Sequence, residues 1–454
     1  MAQVETLSEA PAAQRGAIPE VWNLAYPVAL ATVAETVMQA IDTAMVGRLG
    51  TAALGGVGFA GLWIWMLFVP FTGTAQGLQA FVSRHDGAEE QARCGPWIWQ
   101  AAWLVVPAMT LWMFAVAYLF PRIVAFVGPS PEMASAALAF GTQRLWGGPP
   151  VAFNFVLFAF FRGVGDTRTP LYVTLAAVSV HLFFAYALIF GHFGFPAWGA
   201  AGAGAAQSIT SWAYLVLLLA AVLRPGVRAR YHTQPVRPVL AEQLRFLRTS
   251  APMGGQWFLD MTTFAIFGAI VARMGDASAA ASQAMLQLLA FSFMQAVAIS
   301  VACSTLVGRY IGAQDLDAAE RSLRSSLSLG MVLAGLVATV FLAVPETLLG
   351  LFNREPEFLA LARPLLALGA FFQVVDAIGI IASGALRGAG DTRWPFVVQS
   401  SLAWTLRLAA VWSFAIWLQG GVFGAWLGEL CYVLALGLAW LFRFRAGHWR
   451  TVRI

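Results

Sequence analysis

The 454-residue chain contains no lysine, and charged side chains of every kind make up only 11% of it. Soluble domains carry about 25% charged residues, so this chain has too little charge to cover a water-facing surface. Hydrophobic residues make up 59% of the sequence, and the mean hydropathy is +0.73. The sequence therefore predicts an integral membrane protein.

Cysteine is also scarce, with Cys94, Cys303 and Cys431 far apart and odd in number. This spacing favours free thiols over disulfides or a structural metal site. No nucleophile–base set or HExxH motif occurs, so we do not expect an enzyme. The net charge of +5 comes from arginines scattered singly between apolar stretches, which argues against a nucleic-acid partner.

Apolar stretches long enough to cross a bilayer recur along the whole chain. A helix needs about 20 mostly apolar residues to span the hydrocarbon. The sequence predicts twelve such helices, at residues 21–46, 53–82, 96–120, 132–161, 170–191, 197–223, 247–272, 279–307, 325–345, 357–386, 395–418 and 421–442. The predicted fold class is therefore an all-α membrane protein.

The arginines predict the orientation of these helices. Twenty lie in the two tails and in the loops on the same side as the tails, against five on the opposite side. By the positive-inside rule, both termini are cytoplasmic and the protein lies in the inner membrane. The predicted domains are a disordered tail at 1–19, an N-lobe at 20–223, a linker at 224–246, a C-lobe at 247–443 and a tail at 444–454.

The second half of the chain repeats the first at one fixed spacing, the repeat offset. The segment RGVGDTRTP at 162–170 returns as RGAGDTRWP at 387–395, and Pro27 and Arg48 return at the same offset as Pro252 and Arg273. Six spans per half make the repeats parallel, with a predicted cleft between the lobes. Transporters are commonly built from such repeats.

Acidic side chains lie inside several predicted helices, where each costs a few kcal/mol or more. Glu35 and Asp42 are seven residues apart on the first helix, about 10 Å along one face. Asp260 and Asp376 lie on the seventh and tenth. Amide side chains lie on the same helices or on the eighth, and we expect them to assist the cation or substrate site: Gln256, Gln283, Gln287 and Gln373.

Four acids facing a cavity, with no lysine and few arginines nearby, would make a cation site. Such carboxylates can exchange a proton, or they can supply oxygen ligands to a hard cation such as Na⁺. The alternative is that they bind buried arginines or backbone donors and hold the bundle together.

Three other polar groups fall within the spans. Arg407 and Glu429 lie at similar depths on consecutive antiparallel helices, which predicts a structural ion pair. His181 is interpreted as a hydrogen-bonded packing residue or a proton relay. Arg144 has no evident partner in the sequence.

The two repeated motifs lie in predicted cytoplasmic loops. Their glycines allow a tight turn, their Asp and Arg can cap helix ends, and their proline can start the next helix. The spacing matches no phosphate-binding fingerprint. We expect structural or gating loops, involving Arg162, Gly163, Asp166 and Arg168 in one repeat and Arg387, Gly388, Asp391 and Arg393 in the other.

These motifs, together with Pro27 and the segment DTAMVGRLG at 42–50, resemble the multidrug and toxic compound extrusion (MATE) family over residues 20–440. The resemblance implies two six-helix lobes and export of amphipathic, often cationic compounds driven by Na⁺ or H⁺. Pro27 would then kink the first helix, and Asp42 matches the first-helix acid of the family.

The C-lobe resembles the NorM branch of this family. WFLDMT at 257–262 and FQVVDA at 372–377 are similar to its acidic motifs, with Asp260 where Glu is usual. Gln283 and Gln287 fall where that branch has Gln and Asn. The fifth helix departs from the archaeal and DinF-like pattern, since it has His181 and Ala185 where Asn and Asp are expected.

The resemblance therefore implies a secondary multidrug antiporter, with Asp42, Asp260, Asp376 and Glu35 as cation-coupling residues. Its partners would be a drug-like organic cation and the lipid bilayer. No cofactor is expected, and Na⁺ or H⁺ would be the coupling ion. One chain contains both lobes, so we expect a monomer. The alternative is a lipid-linked precursor flippase of the same superfamily, which the scarcity of mid-membrane arginine disfavours.

Overall fold

A computed structural model describes residues 15–452, and regular structure within this range is entirely helical. The first half contains α1 (Ile18–Gly47), α2 (Thr51–Gln76), α3 (Leu78–Gly87), α4 (Cys94–Val127), α5 (Pro131–Leu145), α6 (Gly148–Gly163), α7 (Arg168–Phe190) and α8 (Ala200–Val222). The second half contains α9 (Pro225–Tyr231), α10 (Leu240–Ala272), α11 (Asp276–Gly312), α12 (Leu316–Ala343), α13 (Pro345–Leu349), α14 (Pro356–Gly388), α15 (Arg393–Leu402), α16 (Leu408–Trp412) and α17 (Gly421–Arg445).

The helices confirm the predicted all-α membrane fold. Ten continuous helical segments of the described range are long and apolar enough to cross a membrane. Two interrupted segments, residues 131–163 and 393–417, bring the number of spans to twelve. The first was predicted as one helix over 132–161, but it breaks after Leu145. Two glycines and two prolines follow at 147–150, and proline lacks the N–H that a continuing helix requires.

The second interrupted segment contains two π-helical turns, Ala403–Arg407 and Ser413–Trp417, on either side of α16. A π-turn widens the helix by one residue and changes the direction of the side chains around it. Arg407 is the last residue of the first π-turn, so this local irregularity sets the position of a buried charge.

The described chain forms two compact units. The N-unit comprises residues 27–254, and the C-unit comprises residues 15–26 together with 255–452. The bounds of these units differ from those of the predicted lobes in two places, at the start of α1 and at the predicted linker. The start of α1 lies in the C-unit because Val21 and Leu24 are buried in one apolar cluster with Tyr310.

The predicted linker at 224–246 lies against α4 in the N-unit. The indole of Trp99 donates to the Thr233 carbonyl at 3.0 Å, and that of Trp103 donates to the Val236 carbonyl at 2.9 Å. Gln100 donates to the Arg237 carbonyl at 2.9 Å. These contacts explain why the segment belongs to the N-unit and is not a free connection.

Of the predicted disordered tail at 1–19, residues 1–14 lie outside the described residues. The rest is attached to the C-unit, where the Gly16 amide donates to the Tyr310 hydroxyl at 3.2 Å. Residues 453–454 of the predicted C-terminal tail also lie outside the described range. Before them, Trp449 is fully buried and stacks on Phe444 at a centroid distance of 4.7 Å.

The internal repeat is visible in the backbone. Gly50 and Gly275 precede α2 and α11 with φ angles of 112° and 101°. Gly165 and Gly390, in the two repeated loops, have φ angles of 77° and 76°. Such positive φ values favour glycine. Both pairs are related by the repeat offset, so the duplication preserves turn geometry as well as sequence.

Candidate functional site

The C-unit contains a buried ion pair inside its membrane spans. The guanidinium of Arg407 donates two hydrogen bonds to Glu429, with Nε–Oε2 at 2.9 Å and Nη2–Oε1 at 2.6 Å. Both side chains are almost fully buried, at 4% and 2% exposure. The predicted ion pair is confirmed, and its two-point geometry is the strongest that arginine forms with a carboxylate.

Asp260 belongs to the same cluster. Arg407 Nη1 lies 3.0 Å from Asp260 Oδ1, and the Tyr432 hydroxyl donates to the same oxygen at 3.0 Å. Arg407 Nη1 also donates to the Thr263 hydroxyl at 2.7 Å. The expectation that the acids lie away from arginine is therefore wrong for Asp260, because the π-turn places Arg407 between α10 and α17.

Asp376 lies beside this cluster without a direct bond to it. It is half-buried on α14, and within residues 15–452 its carboxylate makes no hydrogen bond or ion pair. The charges of Glu429, Asp260 and Arg407 are close enough to act on it. Two carboxylates thus bind a single guanidinium and a third lies nearby, which leaves an excess of negative charge when all three are ionised.

The four glutamines that were expected to assist the site differ in their burial and hydrogen bonding. Gln256 is buried and bonds the Gln399 side chain, and Gln373 donates to the Ala334 carbonyl at 3.1 Å. The Gln373 oxygen is buried without a partner in the described range. Gln283 and Gln287 are exposed on α11, and no hydrogen bond joins either to Asp260 or Asp376 among the described residues.

The N-unit contains a second acid–base pair, between α1 and α7. His181 Nε2 lies 2.8 Å from Asp42 Oδ1, and His181 is fully buried. The Gln207 amide donates to the other Asp42 oxygen at 3.2 Å. The structure therefore brings together two predicted site residues, Asp42 and His181, and adds Gln207 to them.

His181 connects Asp42 to a hydroxyl group. Its Nδ1 lies 2.8 Å from the Thr210 hydroxyl, which also lies 2.7 Å from the Ala206 carbonyl. Either ring nitrogen can hold the proton of a neutral imidazole, because the Thr210 hydroxyl can donate to Nδ1 or accept from it. The ring is thus hydrogen-bonded on both sides, between a carboxylate and a hydroxyl.

Glu35 lies in a different environment from Asp42. The Tyr214 hydroxyl is 3.2 Å from Glu35 Oε1, and the charge of Arg162 acts on Glu35. Arg162 belongs to the first repeated motif, which connects this loop to the acid on α1. Pro27 lies inside α1, at the first residue of the N-unit.

The two repeated loops use their aspartates differently. Asp166 accepts from the Thr169 amide at 3.0 Å and from its hydroxyl at 2.6 Å, which caps the start of α7. Asp391 instead bonds Arg443 of α17 at 2.8 Å. Arg387 donates to Ser300 at 3.0 Å, while Arg168 and Arg393 are exposed. Gly163 and Gly388 are both buried, against α3 and α11 respectively.

The sequence did not lead to two hydrogen-bond donors of the acids, Gln207 beside Asp42 and Tyr432 beside Asp260. Gln207 donates to Asp42 and Tyr432 donates to Asp260, and the repeat offset relates these two donors to each other. The offset could have identified them, because it places both residues at one position of the last span of each half.

Twelve membrane spans in two related halves, with carboxylates and their basic partners inside the spans, are typical of a membrane transporter. The MatE family model matches residues 27–187 and again residues 252–411. The chain belongs to the MatE family, whose members are transporters and not enzymes. The two matches begin at Pro27 and Pro252, which the repeat offset relates, and this agreement confirms the internal repeat.

Alignments with similar proteins cover nearly the whole chain. The probable multidrug resistance protein NorM of Thermotoga maritima is 27% identical over 444 residues, covering 95% of this chain and 94% of that protein. Its namesake in Rhizobium meliloti is 30% identical over 453 residues, covering 95% and 92%. The solved eukaryotic MATE transporter AtDTX14 superimposes with a TM-score of 0.86 at 17% identity, covering 95% of this chain and 96% of that one. The last comparison shows a shared fold alone.

Proposed function

We propose that this protein is a secondary antiporter that exports amphipathic, cationic organic compounds in exchange for H⁺ or Na⁺. The relatives named multidrug resistance proteins support export of drug-like compounds. The observation on which the proposal rests is the half-buried Asp376 carboxylate. It makes no hydrogen bond within residues 15–452 and lies in a cluster whose acids outnumber its base.

The three acids of the cluster differ in their hydrogen bonds. Both oxygens of Glu429 accept from Arg407, and one oxygen of Asp260 accepts from Arg407 and from Tyr432. Asp376 is then the acid with both oxygens free to bind a cation or a proton. A bound cation or proton would neutralise the excess charge and favour the conformation in which these groups are close together. Coupling requires that the cation and the substrate each prefer a different conformation.

The Asp42–His181 pair is suited to a proton, because an imidazole that is hydrogen-bonded to a carboxylate can take up or release one. In this proposal the N-unit responds to H⁺, while the C-unit cluster accepts either H⁺ or Na⁺.

We also propose an inner-membrane location with both termini cytoplasmic. The supporting observation is the asymmetry of arginine, with twenty residues on one predicted side and five on the other. A monomer is sufficient in this proposal, because one chain contains both clusters.

The test is export of a fluorescent cationic dye from proteoliposomes under separately imposed Na⁺ and pH gradients. Wild type, Asp376→Asn and Asp260→Asn are compared, with Arg122→Gln as a control that removes a charge in the N-unit, away from both clusters. We expect export driven by at least one gradient in wild type and in the control. Asp376→Asn should abolish it while the protein remains folded.

Wild-type export by the Asp376→Asn variant would contradict the assignment of Asp376. If folded wild type moves no dye of a varied panel under either gradient, antiport of organic cations is wrong. A lipid-linked precursor flippase would then be the function to test, by measuring the movement of a labelled pyrophosphate lipid.

A further inference from the structure

Four arginines and no acid lie in the segment 224–239 of the N-unit, which follows α8 and which we call the strap. α8 contains 23 residues, about 35 Å at 1.5 Å per residue, which slightly exceeds the thickness of the hydrocarbon. The strap therefore begins where this span leaves the hydrocarbon, at the level of the lipid headgroups. Arg224, Arg228 and Arg237 are exposed, and Arg230 is half-buried.

The backbone of the strap is held along one face of α4. A Cβ atom at Gly95 would collide with the Tyr231 carbonyl, so the glycine allows the strap to pass close to the helix. Trp99 and Trp103, one and two turns further along α4, donate hydrogen bonds to strap carbonyls. Tryptophan is enriched at the membrane–water interface, which agrees with a position at headgroup level. The strap arginines are therefore presented from a backbone of fixed position.

Exposed apolar side chains surround the end of the strap. Trp103, Val239 and Leu240 are 48%, 46% and 70% exposed. An apolar surface of this kind is unfavourable in water, whereas the acyl chains next to the headgroups would cover it. Basic and apolar side chains exposed together are typical of a segment that lies at a membrane surface. The neighbouring Arg237 is then at the level of the lipid phosphates.

The strap arginines have no acidic partner within residues 15–452. Arg228 and Arg230 each donate to a neutral glutamine oxygen, at 3.2 and 3.0 Å. The guanidinium groups of Arg224 and Arg237 make no hydrogen bond or ion pair in this range. The positive charge of the strap is therefore not neutralised by the described part of the chain.

The end of the last span of the C-unit is different, because its arginines have acids beside them. Arg443 donates to Asp391 at 2.8 Å, and Arg450 binds Glu320. The two halves thus end in basic segments of which one is neutralised from within its own unit. The strap, by contrast, is left to attract an anion from outside the chain.

We propose that the strap binds the phosphate groups of anionic lipids in the adjacent leaflet, with Arg224 and Arg237 as the principal contacts. This inference goes beyond the proposed function and does not depend on it. Arginine forms charge-assisted hydrogen bonds with phosphate oxygens, and basic clusters that follow a membrane span attract anionic lipids. Val239 and Leu240 would contact the acyl chains of the bound lipid, which favours a lipid over a free phosphate.

The test is lipid binding by the purified full-length protein in detergent, titrated with phosphatidylglycerol or phosphatidylcholine and measured by native mass spectrometry. We expect wild type to prefer phosphatidylglycerol. Arg224→Gln/Arg237→Gln should weaken phosphatidylglycerol binding at least about tenfold, since each basic residue near the surface contributes about fivefold. Arg224→Lys/Arg237→Lys keeps both charges and should retain part of the binding.

The matched control is Arg324→Gln/Arg445→Gln, which removes two exposed arginines of the C-unit and changes the net charge by the same amount. It should leave phosphatidylglycerol binding unchanged. The melting temperature and the binding of phosphatidylcholine should be the same in all variants, which would show that the fold is intact.

Three outcomes would overturn the inference. Wild type that shows no preference for phosphatidylglycerol has no anionic lipid site. Equal loss of binding in the strap variant and in the control would mean that net charge alone attracts the lipid. Displacement of the lipid by inorganic phosphate alone would make a free phosphate the occupant. The assay requires no transport, so the proposed function and this inference can fail independently of each other.

Discussion

The N-unit and the C-unit each place a basic side chain against an acid on their first span, but the bases differ in kind. Asp42 faces His181 at 2.8 Å, and Asp260 faces Arg407 at 3.0 Å. The repeat offset takes His181 to Leu406, next to Arg407. Duplication has therefore kept the position of the base to within one residue while the chemistry of the base has changed.

The acids have shifted along the helix. The same offset relates Asp260 to Glu35, and it relates Asp42 to Phe267. The acid in the C-unit pair thus lies two helical turns from the repeat position of the acid in the N-unit pair. Glu35, at the position equivalent to Asp260, has Tyr214 as a hydrogen-bond partner, just as Asp260 has Tyr432.

The base of the N-unit pair, His181, can lose its charge, whereas the base of the C-unit pair, Arg407, cannot. Histidine exchanges a proton near neutral pH, whereas arginine stays protonated. The N-unit pair can therefore exist with or without its shared proton. In the C-unit the positive charge of Arg407 is fixed, so the proposed function assigns the response to a cation to Asp376. In that proposal the two units, although related in structure, would carry out different coupling steps.

The largest expected effect is a loss of stability, and it tests the fixed positive charge of Arg407. Arg407→Met leaves Glu429 and Asp260 without their buried partner, which should lower the free energy of unfolding by about 3–5 kcal/mol. His181→Leu, the matched change in the N-unit, should cost less, because it removes the partner of one acid and not of two, and Asp42 keeps its bond to Gln207. Thermal unfolding in detergent measures both.

The double variant Arg407→Met/Glu429→Met is the control for the first of these changes. It should recover much of the lost stability, because it removes the principal unpaired acid. Equal destabilisation by Arg407→Met and His181→Leu would contradict the distinction between a fixed and an exchangeable charge.

The next effect tests the exchangeable proton. His181→Gln retains a donor at the position of Nε2 but cannot carry a proton, so Asp42 should remain hydrogen-bonded at every pH. We expect export driven by a pH gradient to fall by at least about tenfold, while the free energy of unfolding changes by about 1 kcal/mol. Dye export from proteoliposomes under a pH gradient is the measurement.

Two comparisons in that assay interpret the result. Thr210→Val removes the hydrogen-bond partner of His181 Nδ1 and should weaken pH-driven export less than His181→Gln does. Unchanged pH-driven export in His181→Gln would show that the pair is a packing contact and not a proton carrier.

The sequence was sufficient for the fold and for part of the site. Hydropathy located the twelve spans because apolar length alone determines which segments cross a bilayer. The Arg407–Glu429 pair followed from depth, since consecutive antiparallel helices of known rise bring the two residues to one level. Neither inference required knowledge of how the helices pack.

The remaining features depend on local irregularities that hydropathy does not encode. The π-turn ending at Arg407 brings Asp260 into the ion pair, and nothing in the apolar pattern of residues 395–418 distinguishes it from an ordinary helix. Val21 and Leu24 lie in the C-unit because of tertiary packing, although they begin the first span. The predicted roles of Asp42, Asp260, Asp376 and Glu35 in coupling stay predictions.

The smallest expected effect concerns the two repeat-related donors. Tyr432→Phe removes one neutral hydrogen bond to Asp260, and Gln207→Leu removes one to Asp42. Each should lower the free energy of unfolding by about 1 kcal/mol. Their functional effects should differ, because Asp260 keeps Arg407 as a donor whereas Asp42 then depends on His181 alone. Gln207→Leu should therefore shift the pH dependence of export, and Tyr432→Phe should not. A shift of equal size in both variants would mean that the two sites titrate together, and the division of tasks between the units would have to be abandoned.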